Sequence, residues 1–248
     1  MPTLVDYCGT SVAGYHAVSR WDSILQGVDF SDDSLMGVEI EIDCATQHLL
    51  MQELSQVNVI VERDGSLGPH GVELVLPPIP YKCLLGKSAL SDCLDVFKRI
   101  KCGRQNSDRY GIHVSVNGDG MDLDHKKHFM EFFHKNKSFC EGIAKRPGNN
   151  YCRYNPWCYS LNELISTGKY AACSWRSDSR LEVRIFKSTD NAMVIRSYLQ
   201  FVRAVWDYTQ FHASYEADRF VEWLSQPVKA REYPYLRLFM PSELRLSV

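Results

Sequence analysis

Several features that would sort a chain quickly are missing here. No run approaches the roughly 18 apolar residues of a membrane span. No low-complexity stretch, block of like charge or fixed-period repeat interrupts the 248 residues. The segment from Met1 to Arg20 lacks a basic stretch followed by an apolar one, so a signal peptide is not expected. Neither sign of charge dominates, with 28 Lys and Arg against 30 Asp and Glu, a net charge of -2. That balance argues against a nucleic-acid partner, although aromatic residues interleave with arginines in one stretch. There is no even set of cysteines either. The nine present are scattered, and the nearest pair, Cys152 and Cys158, has a spacing that suits no zinc knuckle. The expectation is a cytoplasmic, reducing setting, with the cysteines acting as small buried hydrophobes.

What is present is enough apolar material for a sizeable core, 45% of residues. Residues 1–33 show no period and read as an N-terminal arm, ahead of a single domain over 34–248. Strands are expected at Gly37–Asp43, 58–63, 72–76, 111–117 and 180–187. Asp64-Gly65 is a turn signal, and Pro77-Pro78 ends the third strand. Helical spacing predicts helices over 46–56, 84–100, 122–143, 192–210 and 215–224. The stretch 144–178, rich in Arg, Asn, Gly, Tyr and Trp, reads as a long functional loop. Its aromatics Tyr151, Tyr154, Trp157, Tyr159 and Trp175 are candidates for stacking on a base or closing over a substrate. Helices alternate with strands, and one strand pair reads as a hairpin. The fold class is therefore α+β with a mostly antiparallel sheet.

The informative signal lies inside the strands, where successive side chains point to opposite faces. Val38, Ile40 and Ile42 alternate with Glu39, Glu41 and Asp43. Glu73 alternates with Val72 and Leu74. His113, Ser115 and Asn117 oppose Ile112, Val114 and Val116. Glu182 and Arg184 oppose Leu181, Val183 and Ile185. Acids are depleted from ordinary solvent-facing strands. Four glutamates on one sheet face repel one another, and a divalent cation relieves that repulsion. Carboxylates with one histidine suit Mg²⁺ or Mn²⁺ bound together with phosphate. Glu39, Glu41, Glu73, His113 and Glu182 are the candidate ligands.

At these residues the sequence resembles the amidoligase family, a branch of the glutamine synthetase and glutamate–cysteine ligase superfamily. Met36-Gly37-Val38-Glu39-Ile40-Glu41 looks like the family's opening strand with its Glu-x-Glu. Arg63-Asp64-Gly65-Ser66-Leu67, followed by Gly71-Val72-Glu73-Leu74-Val75, is similar to its Asp-x-Ser segment and Val-Glu strand. Tyr110-Gly111-Ile112-His113-Val114-Ser115-Val116 resembles the Gly-x-His-Val-x-Val strand. Leu181-Glu182-Val183-Arg184-Ile185-Phe186 resembles the Glu-Phe-Arg strand, with Val183 replacing the aromatic. Arg146 matches a basic residue after the long helix. After Lys169-Tyr170 the family often has an Asn, where this chain offers Cys173 or Ser174.

The resemblance implies a curved, mostly antiparallel sheet flanked by helices, the glutamine-synthetase-like catalytic fold. It implies an ATP- and Mg²⁺-dependent carboxylate–amine ligase working through an acyl phosphate. The partners would be a small-molecule, peptide or protein carboxylate and an amine. Arg184 is then the candidate phosphoryl contact, since a guanidinium fork matches phosphate oxygens. Arg146, Ser66 and Lys169 are candidate nucleotide or phosphate contacts. Asp64 is the candidate base for the amine, and Glu73 lies in the reacting shell. A metal-dependent hydrolase or nuclease would share the carboxylates and His113 without needing ATP. A non-catalytic binding protein on the same fold is the third reading.

Overall fold

A computed structural model describes residues 4–6, 35–57, 59–63, 67–86, 89–100, 102, 108–177, 179–212 and 214–241. The chain forms two compact units. The first runs from Met1 to Ile112 and takes back Ser188–Ala192; the second holds His113–Lys187 and Met193–Val248. The sequence reading draws one domain over 34–248. The division between the units falls inside a single strand, where no change of composition marks it.

In the first unit the strands are β1 (Leu4–Asp6), β2 (Leu35–Asp43), β3 (Ile60–Arg63) and β4 (Gly71–Pro80), adjacent in the order β1-β3-β4-β2. β3 and β2 both pair antiparallel with β4, and β1 pairs parallel with β3. Thus three residues of the expected arm, 4–6, join the sheet; the rest of 1–33 lies outside the described residues. β4 passes through its prolines to Pro80 instead of ending at them. The β2–β4 register shifts once, between Met36 and Val38, so an irregularity lies ahead of the acidic run. The apolar set Val38, Ile40, Val61, Val72 and Leu74 is fully buried. Helix α1 (Gln47–Glu53) packs on α3 (Ala89–Ile100), and the short α2 (Tyr81–Leu85) follows β4 directly. A single helix was expected over 84–100. Two form, and α2 begins at Tyr81, right after Pro80.

The return from β3 to β4 depends on glycine. Gly68 has φ +92°, and a Cβ on Gly71 would fall 2.1 Å from that of Leu67. Only glycine allows that approach, and it places Glu73 two residues into β4.

The second unit contains β5 (Gly111–Asn117) from His113 onward, β6 (Cys173–Ser177) and β7 (Arg180–Lys187), in the order β5-β7-β6. β6 and β7 are antiparallel. Helices α4 (Leu123–Lys135) and α5 (Lys137–Ala144) replace the one helix expected over 122–143. Asn136 separates them. Its amide donates to the carbonyls of Phe132 and Tyr215, and its Oδ1 accepts from the Ala217 amide. A side chain satisfied by backbone groups in this way competes with helix continuation. The expected loop 144–178 contains α6 (Leu161–Ser166), held by a Ser160–Glu163 capping box, and β6. The long α7 (Ala192–Phe211) is followed by α8 (Ala217–Leu224), α9 (Pro227–Glu232) and α10 (Pro234–Phe239). Phe132, Phe139, Phe201 and Phe220 meet edge to face at the centre of this unit. The whole is mixed helix and mainly antiparallel sheet, an α+β protein. No helix among the described residues is long and apolar enough to cross a membrane.

Candidate functional site

Each unit carries one group of buried ionisable side chains on its strands. In the first, β2 and β4 set Glu41 directly opposite Glu73 and Glu39 opposite Val75. β3 then sets Glu62 opposite Glu73. Residues paired this way project from the same face. Glu62, Glu73 and Glu41 therefore make one row across three neighbouring strands, and Glu39 opens the next row. Glu41 and Glu73 are 5% and 2% exposed. Each offers a carboxylate oxygen within 4.8 Å of the other's. Two buried carboxylates so placed are costly unless a proton or cation is shared between them.

The row is anchored through Glu41. Its Oε2 accepts from the Gly111 amide at 2.6 Å, and its carbonyl accepts from the Ser188 hydroxyl at 2.6 Å. At the end of β2, Asp43 accepts from the Tyr110 phenol at 2.9 Å. Burial, and then this bond, push the Tyr110 phenol up from its ordinary value. Asp43 thus ties the strand end to the residue before β5. Asp64 and Ser66 lie outside the described residues.

In the second unit Glu182, on β7, is wholly buried. Arg184 Nη1 donates to its Oε2 at 3.1 Å and Arg180 Nη2 to its Oε1 at 3.0 Å. Arg176 on β6 brings Nε to 3.5 Å of Oε2. Ser174, paired opposite Glu182 across β6–β7, donates its hydroxyl at 3.4 Å. A ring nitrogen of His113 comes within 4.8 Å of a Glu182 oxygen. Burial is the largest single influence on this carboxyl and raises it. His113, Arg184, Arg180 and Arg176 together outweigh burial and hold it down to about 2.

The remaining candidates are dispersed around this group. Arg146 is buried and donates Nη1 to the carbonyls of Arg184 and Phe186 at 3.4 Å, so it grips the backbone of β7. Lys169 is exposed, with Nζ 5.0 Å from the Tyr170 ring centre. The guanidinium of Arg184 lies 6.0 Å from the same ring. Of the aromatics, Tyr151, Trp157 and Tyr159 are exposed, while Trp175 carries the ammonium of Lys126 at 4.9 Å.

Three residues at these groups were not singled out from sequence. Glu62 becomes visible only once β3 and β4 are in register. Arg176 lies within a register shift between Trp175 and Ser177, so simple alternation gives no guide to its direction. Ser174 is, with Cys173, one of the two residues offered where the resembled pattern has an Asn, and its hydroxyl contacts Glu182.

The donor chemistry suits a hard cation. Mg²⁺ takes oxygen ligands at about 2.0–2.1 Å in an octahedron, which sets neighbouring ligand atoms about 3 Å apart and opposite ones about 4 Å apart. Each pair within 4.8 Å is close to that scale. An imidazole joined to carboxylates is also tolerated by Mn²⁺.

No family model matches the chain, and no curated protein matches it. Among solved structures, the complex between the prokaryotic ubiquitin-like protein Pup and its ligase PafA is similar at 13% identity, with a TM-score of 0.38. The match covers 75% of this chain and 52% of that one, so the chain spans about half that chain's length.

Proposed function

We propose that this protein is an ATP-dependent carboxylate–amine ligase of the glutamine-synthetase-like fold, acting in the cytoplasm with Mg²⁺ or Mn²⁺ through an acyl phosphate. The observation that carries the reading is the Glu62–Glu73–Glu41 row, in which Glu41 and Glu73 are buried where like charges are costly. The order of the amidoligase-like strand motifs supports it independently.

Glu39, Glu41, Glu73, His113 and Glu182 hold the metal. Glu39, Glu41 and Glu73 stand on the paired strands β2 and β4 of the first unit, and His113 and Glu182 on strands of the second. The Gly111 amide binds Glu41, and His113 follows two residues later in the same strand. Residues two apart in a strand share a face about 6.5–7 Å apart. When bound, the ions neutralise and orient the ATP phosphates.

Arg184 contacts the migrating phosphoryl group, and Arg146 fixes the strand on which Arg184 stands. Ser66 and Lys169 contact the nucleotide phosphates. Asp64 accepts a proton from the attacking amine. A peptide, protein or small-molecule carboxylate and an amine are the substrates.

The decisive measurement is ADP release by the full chain with Mg²⁺-ATP and panels of carboxylates and amines. Turnover that requires both a carboxylate and an amine supports a ligase. Metal-dependent cleavage of esters or phosphodiesters without ATP would install the hydrolase reading in its place. If Mg²⁺-ATP produces neither turnover nor a shift in melting temperature, the protein is a binding module without this site.

A further inference from the structure

One cavity draws on none of the charged strands. It encloses about 530 Å³ within the second unit, where the end of α7 meets α8. Small-molecule sites have roughly this size. Tyr208, Phe211 and His212 line it from the end of α7, and Arg219, Glu222 and Trp223 line it from α8. Each trio has the i, i+3, i+4 spacing that puts three side chains on one side of a helix.

The two sides meet through their rings. His212 stacks on Tyr208 with 4.8 Å between ring centres, and Trp223 lies 5.6 Å from Tyr208 and 6.5 Å from His212. Tyr208 and Trp223 are buried and form the floor. Phe211 is 77% exposed and makes no ring contact among the described residues. A phenyl ring at the mouth of a cavity has apolar surface to withdraw from water when an occupant arrives.

Charge selects the occupant. Arg219 Nε donates to Glu216 Oε2 at 2.8 Å, and Lys229 Nζ donates to Glu232 Oε2 at 2.7 Å, so both cations near the cavity are already paired. Glu222 makes no ion pair or hydrogen bond among the described residues. Its carboxylate is the uncompensated charge of the lining. Carbonyl ends of helices also favour cations. The cavity is lined from the last turn of α7 and by Glu222, Trp223 and Gln226 at the end of α8, and neither helix has a basic residue in its last turn. The Lys229 ammonium, 4.9 Å from the centre of the Trp223 ring, shows that this ring accepts a cation.

We infer that the cavity is a binding site for a small organic cation, an alkylated ammonium. Its apolar substituents meet the rings, while Glu222 and the helix ends meet its charge. An inorganic ion would leave the rings unused, and a neutral apolar molecule would leave Glu222 and the carbonyl ends unanswered. The site owes nothing to the ligase reading.

The test is a ligand-observed NMR titration of the full chain with choline, whose methyl resonance reports binding directly. Neohexanol, the neutral molecule of the same shape, is the control. Choline should bind with a dissociation constant of about 1 mM or below, and neohexanol about tenfold more weakly. Phe211→Ala and Glu222→Gln should each weaken choline about fivefold. Only Phe211→Ala should also weaken neohexanol. Both side chains are exposed, so neither change should move the melting temperature by more than about 2 °C. Equal affinity for the two probes overturns the inference by making the cavity a plain apolar pocket. Choline binding that survives both changes undiminished, or no binding at about 10 mM, overturns it as well.

Discussion

Glu73 in the first unit and Glu182 in the second are both almost wholly removed from solvent, yet their neighbours differ in sign. Glu73 lies between two further carboxylates, Glu62 and Glu41, on the strands either side. Glu182 lies among three arginines and a histidine. One arrangement sets carboxylate beside carboxylate across three strands. The other sets a carboxylate among cations that the chain itself supplies. Strands that look alike in the sequence thus place their acids in two opposite electrostatic settings.

The largest effect is expected where compensation is internal. Glu182→Ala leaves three guanidinium groups facing a cavity, and should cost about 3–5 kcal/mol of unfolding free energy by urea titration. A loss below about 1 kcal/mol would mean the arginines turn to water and the ion pairs are of the weak surface kind. The wild type should show the matching pH signature. The Glu182 pKa is depressed, so its contribution is complete above the ordinary carboxylate value of 4.5 and is lost as pH falls toward about 2.

The second effect tests whether acid sensitivity in the second unit comes only from Glu182. His134 Nε2 meets the Cys173 carbonyl at 2.8 Å, and Asn155 donates its amide to Nδ1 at 3.2 Å. These contacts suit the neutral ring with its proton on Nε2. A second proton would confront the Asn155 amide. Burial lowers this histidine from 6.5 to about 4. Stability should be complete above 6.5 and fall by up to about 3 kcal/mol as pH drops toward 4. His134→Gln should flatten the stability curve between those values. An unchanged slope would assign the acid response to other groups.

The third inverts the first. Glu73→Gln removes a charge from the crowded row, so metal-free stability should stay within about 1 kcal/mol of wild type or rise. The same variant should lose the thermal shift produced by Mg²⁺. Retention of the full shift would remove Glu73 from the metal shell. The smallest effect belongs to Ser174→Ala, whose hydroxyl reaches Glu182 at 3.4 Å. About 0.5 kcal/mol is expected, since a long neutral-donor bond adds little beside three arginines.

The charged strands were legible because period-two alternation is local. Val38-Glu39-Ile40-Glu41 states its two faces without knowing its partner. What alternation cannot supply is the partner's register, and Glu62 shows the cost. Alone it is an acid near the end of a short strand; opposite Glu73 it joins a row. Arg176 escapes for the related reason that it sits in an irregularity of its strand. The helix over 122–143 was read as continuous because its apolar spacing is strong. The break at Asn136 depends on Tyr215 and Ala217, some 80 residues away. The glycine turn before Glu73 could be suspected, but the close approach of Gly71 to Leu67 is a tertiary fact. ATP use rests on motif order and not on any feature of composition.

The irregularity between Met36 and Val38 has a consequence for how such a chain tolerates change. β2 must keep step with β4 from Val38 to Asp43, because a slip of one residue would send Glu39 and Glu41 to the greasy side and Ile40 to the acidic one. Ahead of Val38 the step is already broken. The bulge therefore serves as an expansion joint. A residue inserted before Gly37 should disturb the Glu39 and Glu41 register less than one inserted among the six residues after it.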